Sequence, residues 1–161
     1  RSAIAVPIEP HGVLNDYVPF YFCPRSPMLY CIDRGNVPTY QDGQGPVVHL
    51  VTDLDQLTKA NVEFVFTDRH AKSGLATFYR EPADLARLDW RTINSNSWGY
   101  SDDYPERREL KQAELLVYEH VPWGCIVGIG TYNIATADEV RSLLQRYGMK
   151  TRVAVKTGWY Y

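Results

Sequence analysis

No run in this 161-residue sequence approaches the roughly 20 consecutive apolar residues that a membrane-spanning helix needs, so a membrane protein of that kind is not expected. Cysteine is scarce. Cys23, Cys31 and Cys125 make an odd number without the paired spacing of a zinc site, and they are expected as buried thiols in a reducing cytoplasm. The four histidines, His11, His49, His70 and His120, are scattered with no i, i+4 pair, so no metal site is expected either. A glycine-rich phosphate loop is also missing. The nearest string, Gly124-Cys125-Ile126-Val127-Gly128-Ile129-Gly130, has the wrong spacing and lies in strand-like sequence, which argues against Rossmann and P-loop cofactor binding. No Ser or Cys sits in a nucleophile-elbow motif. Charge of one sign is not in excess: the net value is −2 and the pI about 6.1. That disfavours a broad polyanion-binding surface but leaves room for a local patch or a short single-strand groove. The opening Arg1 to Pro7 has neither a signal-peptide pattern nor an initiator Met, which reads as a trimmed chain.

Rings are abundant. Twelve Tyr, five Phe and four Trp suit a sheet-based core or a surface on which bases stack. The length fits one domain, and no repeat, low-complexity tract or linker interrupts it. Residues 1–16, with Pro7, Pro10 and Gly12, read as an extended lead-in. Strands are expected at Tyr17–Cys23, Val47–Val51, Phe64–Phe66, Ala76–Tyr79, Ala113–Tyr118, Ile126–Tyr132 and Arg152–Lys156. Ser26-Pro27 opens a helix that Gly35 stops, and another short helix runs from Asp53 to about Lys59. Residues 82–94 read as one or two short helices. Thr136-Ala137-Asp138-Glu139 is a capping box launching an amphipathic helix through Tyr147, with Gly148 as its stop. This irregular order predicts a mixed α+β domain. The longest patternless stretch, 94–105, is of the kind that is functional or disordered.

Among ionisable residues, Glu114 stands out. Strand alternation places it with Leu116 and Tyr118 on one face, at the start of a strand and just after the long polar loop. It reads as a candidate site acid, but spacing alone favours a charge solvating a strand end, because such charges are commonplace. His70 follows the Phe64–Phe66 strand, where polar groups at a rim often form sites. Arg108 lies in the charge run Glu106-Arg107-Arg108-Glu109, a pattern usual for a solvated helix face. Met28 and Tyr21 read as core.

The block Gly12-Val13-Leu14-Asn15-Asp16-Tyr17-Val18-Pro19-Phe20-Tyr21-Phe22-Cys23-Pro24-Arg25-Ser26-Pro27-Met28-Leu29-Tyr30 resembles the DarT family of DNA ADP-ribosyltransferase toxins. So do Val65-Phe66-Thr67-Asp68-Arg69-His70, Leu88-Asp89-Trp90, Lys111-Gln112-Ala113-Glu114-Leu115-Leu116-Val117-Tyr118 and the ending Gly158-Trp159-Tyr160-Tyr161, all in the family's order. The resemblance implies a PARP-like ADP-ribosyltransferase fold, α+β, with a split, bent, mixed or antiparallel sheet and several short helices. It also implies an enzyme that consumes NAD without a metal and modifies a base, most often thymine, in single-stranded DNA. A DarG-type antitoxin would be its partner, in a bacterial cytoplasm, with the enzyme itself a monomer.

Carried over residue by residue, the resemblance makes Glu114 the catalytic carboxylate and aligns Arg1 with an arginine important for activity. It implies cofactor-binding roles for His70, Arg108, Met28 and Tyr21, and substrate-binding roles for Trp98, Tyr100, Arg69 and Arg25. Two departures are visible. Asn15 stands where relatives often carry His. The family's opening strand of the type Tyr-His-Ile-Thr, which grips nicotinamide and ribose, has no counterpart here. A single, N-terminally truncated domain with weakened NAD binding is therefore expected. Protein or RNA as acceptor, or an inactive DNA-binding remnant, are the alternatives.

Overall fold

Two separate sheets carry the strands of the computed structural model, which describes residues 1–161. In chain order the strands are β1 (Tyr17–Tyr21), β2 (His49–Val51), β3 (Phe64–Thr67), β4 (Phe78–Tyr79), β5 (Glu114–Tyr118), β6 (Gly128–Thr131) and β7 (Val153–Val155). The α-helices are α1 (Pro27–Asp33), α2 (Leu54–Lys59), α3 (Trp90–Ile93), α4 (Arg107–Leu110) and α5 (Ile134–Arg146). The chain divides into a first unit of residues 1–26 and 57–121 and a second of residues 27–56 and 122–161, the boundary falling inside α2. Mixed α+β architecture with short helices is the class expected from the order of elements.

The first unit is built on the antiparallel order β1-β5-β3-β4. β5 is flanked on both sides, and Glu114 to Val117 are all buried. Alternation predicted two distinct faces for this strand; both are in fact covered, as its near-continuous apolar run allows. Pro19, which cannot donate to a ladder, lies in β1 at the sheet's edge, where that deficit is tolerated.

The lead-in differs from expectation. Residues 1–16 fold back on themselves: Ala5 bridges Val13, the Leu14 amide donates to Ile4 O at 2.9 Å, and the Val6 amide donates to Gly12 O at 2.9 Å. His11 and Gly12 turn the chain with positive φ, and a Cβ at Gly12 would meet Asp16 Oδ2 at 2.5 Å. Because the turn is tight, no period shows in the letters. It nevertheless drives Val6 and Leu14 into a core shared with Tyr17, Val65, Ala71 and Leu116. Arg1 is thereby set on an anchored segment, its carbonyl accepting from the Ile4 amide.

In the second unit β2 pairs antiparallel with β6, and β6 runs parallel to β7 through α5, a β–α–β connection. The helix starts earlier than the Thr136 capping box suggested. Asn133 is the N-cap, its side chain accepting from the Thr136 amide at 2.9 Å, so Thr136 supplies a donor at the third helical position. Gly148, at φ 65°, ends the helix as expected. Tyr160 is 1% exposed and donates to Val47 O at 2.7 Å. The Trp159 ring lies against Gly130 so closely that a Cβ there would meet it at 2.6 Å.

Candidate active site

The register of the first sheet puts Glu114 opposite Tyr21 of β1, with the end of β3 on its other side. Thr67, the last residue of β3, locks that end. Its Oγ1 accepts from the Glu114 amide at 3.2 Å and donates to Arg69 O at 2.7 Å. The chain after β3 is thus turned back over the start of β5. The His70 amide donates to Glu109 O at 3.0 Å, and Ser73 Oγ donates to Glu109 Oε2 at 2.7 Å, so the residues beside α4 fix the same loop.

This folding delivers three donors to one carboxylate. Glu114 Oε1 accepts from His70 Nδ1 at 2.6 Å and from the Ala71 amide at 3.0 Å, while Oε2 accepts from Arg1 Nη1 at 2.9 Å. Glu114 is 2% exposed, whereas the side chains of His70 and Arg1 keep 29% and 24% of their surface. Burial pushes the Glu114 pKa up, but the hydrogen bonds from His70, Arg1 and Ala71 outweigh it. The net shift is downward, so the group stays ionised. A buried carboxylate would otherwise be costly, and the reading of Glu114 as a solvated strand end is excluded by its burial. Arg1 Nη2 is buried with no hydrogen-bond partner, leaving a cationic donor beside the carboxylate.

Other predicted residues fall around this cluster or away from it. Arg69 precedes His70, and its guanidinium sits 3.5 Å from Asp68 Oδ1 and 3.6 Å from Glu106 Oε1, ion pairs without hydrogen-bond geometry. Tyr21 is half-buried in β1. Arg25 Nη1 reaches Asn96 Oδ1 at 3.3 Å, tying it to the long loop that also carries half-buried Trp98 and Tyr100, which is 75% exposed. Arg108 is exposed on α4. Met28 lies in the second unit, on α1, and is exposed rather than core.

Two residues escaped the sequence reading. Thr67 was quoted in a motif but given no role, although a Thr between an apolar strand and a His is well placed to bridge them. Lys111 is 2% exposed and has no carboxylate partner. Its ammonium donates to Ile93 O at 2.6 Å and Ser95 O at 2.8 Å, closing the C-terminal end of α3 and pinning the base of the long loop. A lysine directly before an apolar strand was the available signal. No group of His, Cys, Asp and Glu is arranged to hold a metal, and no helix is long and apolar enough to cross a membrane.

The family model described as DarT, ssDNA thymidine ADP-ribosyltransferase, matches residues 1–161. A DNA ADP-ribosyl transferase of Thermus sp. (strain 2.9) is 47% identical over 163 residues, covering all of this chain and 76% of that protein. The crystal structure of Thermus sp. 2.9 DarT in complex with NAD+ superimposes with a TM-score of 0.95 at 45% identity, over all of this chain and 80% of that one. The same enzyme in complex with ADP-ribosylated ssDNA gives a TM-score of 0.95 at 45% identity, over all of this chain and 76% of that one. The chain belongs to the DarT family of DNA ADP-ribosyltransferases.

Proposed function

We propose that this chain transfers ADP-ribose from NAD to a base of single-stranded DNA, with thymine as the acceptor, and releases nicotinamide. The observation that carries the reading is Glu114, buried yet held ionised by His70, Arg1 and the Ala71 amide. Relatives described above were solved with NAD+ and with ADP-ribosylated ssDNA, which supports both substrates.

The chemistry follows from that carboxylate. The bond between ribose C1′ and the nicotinamide nitrogen breaks, and nicotinamide leaves with the bonding electron pair. Positive charge develops on the sugar, and a fixed negative charge in a covered site stabilises it without reorganisation. A ring nitrogen of the base then forms the new bond to C1′, and its proton passes to Glu114 or to water. Arg1 has two parts to play. One nitrogen orients the carboxylate, and the unpartnered one offers a cation to a deprotonating base or to a phosphate. His70 holds the other carboxylate oxygen and, being partly exposed, contacts NAD. Tyr21 and Arg108 complete the cofactor contacts within the first unit, and Trp98, Tyr100, Arg69 and Arg25 meet the DNA strand.

We further read the protein as the toxin of a toxin–antitoxin pair, a monomer whose partner is a DarG-type antitoxin. Its three free thiols suit the reducing cytoplasm of a bacterium. The test is mass spectrometry of single-stranded oligonucleotides incubated with NAD and the full-length protein. A gain of one ADP-ribose is expected with the wild type and no gain with Glu114→Ala. Absence of product on every oligonucleotide sequence would overturn the assignment.

A further inference from the structure

The first unit holds an open, polar cavity of about 560 Å³ between α3, α4 and the loop joining them. Its rim carries two guanidiniums, Arg91 and Arg107. Neither is paired with a carboxylate; Arg107 instead lies over the Tyr104 ring, 5.5 Å from its centroid. The one acidic residue lining the cavity, Asp89, is already engaged. It accepts from Tyr104 OH at 2.7 Å, from Thr92 Oγ1 at 2.7 Å and from the Thr92 amide at 3.0 Å. The net balance of the lining is therefore positive in a chain whose overall charge is −2.

The cavity is also held in shape from beneath. Tyr104–Asp89–Thr92 ties the far end of the loop to α3. At its near end Lys111 fixes the carbonyls of Ile93 and Ser95, and Ser95 lines the cavity. Lys111 is three residues from Glu114, and three residues of extended chain cover at most about 10 Å. α4 links the two places directly. Glu106 and Glu109 bind the loop that carries Arg69 and His70, while Arg107 between them faces the cavity.

We propose that this cavity is a subsite for the nucleotide next to the modified base, with Arg91 and Arg107 gripping its phosphodiester and the Tyr104 ring alongside. This rests on the reading of single-stranded DNA as substrate. Two arginines without carboxylate partners over a cavity of nucleotide size, pre-shaped by a buried lysine that lies three residues from Glu114 along the chain, match that ligand. Phosphate contacts of this sort position a strand without reading its sequence. They also let a mildly acidic protein hold a polyanion through few contacts.

The experiment measures KM for an oligonucleotide, KM for NAD and DNA affinity against salt for the full-length wild type, Arg91→Ala, Arg107→Ala and Arg107→Lys. Both alanine variants are expected to raise the oligonucleotide KM roughly three- to tenfold and to flatten the logarithmic salt slope, by about 0.7 at most, the value for the one phosphate contact on a single strand that they share. Arg107→Lys should recover part of the loss, while kcat and the NAD KM stay unchanged. A methylphosphonate placed next to the acceptor should weaken wild-type binding and weaken that of Arg107→Ala less. A raised NAD KM would instead assign the arginines to the pyrophosphate of NAD and overturn the proposal. Unchanged DNA affinity and salt slope in both alanine variants would overturn it as well, while wild-type modification of the oligonucleotide would leave the wider reading standing. If the wild type modifies no oligonucleotide, that reading fails first, and the binding measurements then decide the subsite on their own.

Discussion

The two units bury polar groups in opposite ways. The first sinks a carboxylate and an ammonium into its interior within four residues of sequence, Lys111 and Glu114, and meets each with its own set of partners. The second gathers rings around one buried tyrosine. His49 and Tyr132 stand edge-on to Tyr160, whose hydroxyl meets a backbone carbonyl, and Trp159 stands edge-on to His49. The same contrast shows in two tyrosines whose pKa is pushed up to about 12. Tyr17 in the first unit is raised by burial and then by Tyr118, Asp16 and Glu63, whereas Tyr160 in the second is raised by burial alone. One unit is arranged around charge; the other is arranged around shape.

The sharpest break of that contrast is Glu114→Gln. It keeps the volume and removes the charge, and transfer is expected to fall by about 10²–10⁴-fold. Its acid behaviour should change too. The folded-state pKa lies below the ordinary 4.5, so the stabilisation it gives is present above that value and lost as pH falls through the depressed one. Thermal melts from pH 6 downward should therefore drop more steeply below 4.5 for the wild type than for the glutamine variant.

Gly130→Ala probes the other unit. The new methyl must displace the Trp159 ring, at a cost of about 1–3 kcal/mol in unfolding free energy. Activity per folded molecule should survive, since Glu114 and its donors belong to the other unit; an equal fall in both would merge the two categories.

Tyr160→Phe should cost about 0.5–1.5 kcal/mol by removing a buried hydroxyl from its acceptor. A raised phenol pKa stabilises fully below the unfolded value of 10 and fades as pH climbs towards about 12. The phenylalanine variant should therefore lose less stability between pH 10 and 12 than the wild type, as denaturant titrations would record. Arg141→Ala marks the floor of the scale. Its pair with Asp138 is an exposed i, i+3 contact at 2.7 Å, and removal should shift the melting free energy by less than about 0.5 kcal/mol.

Much of this was legible in the letters where apolar period or turn chemistry dominates. β3, β5 and α5 announce themselves by runs of Phe, Val and Leu or by a helical stripe ended by Gly148. Glu114 was legible as a candidate, but not its burial, because three of its contacts come from residues 43 to 113 positions away, and no local pattern encodes them. The lead-in was misjudged for the same reason. Its turn at His11 and Gly12 breaks the period, while Val6 and Leu14 gain their burial from strands far along the chain. The place of Lys111 before an apolar strand was a signal, but its partners were not legible, because they are backbone carbonyls, which no side-chain code marks.

The contact between Arg1 and Glu114 spans 113 residues. Ribosomes release a chain from its first residue onward, so the guanidinium waits, unmatched, until β5 has emerged and settled between β1 and β3. A partly made copy thus has no assembled centre. The pairing of Arg1 with Glu114 becomes available only once the sheet has closed.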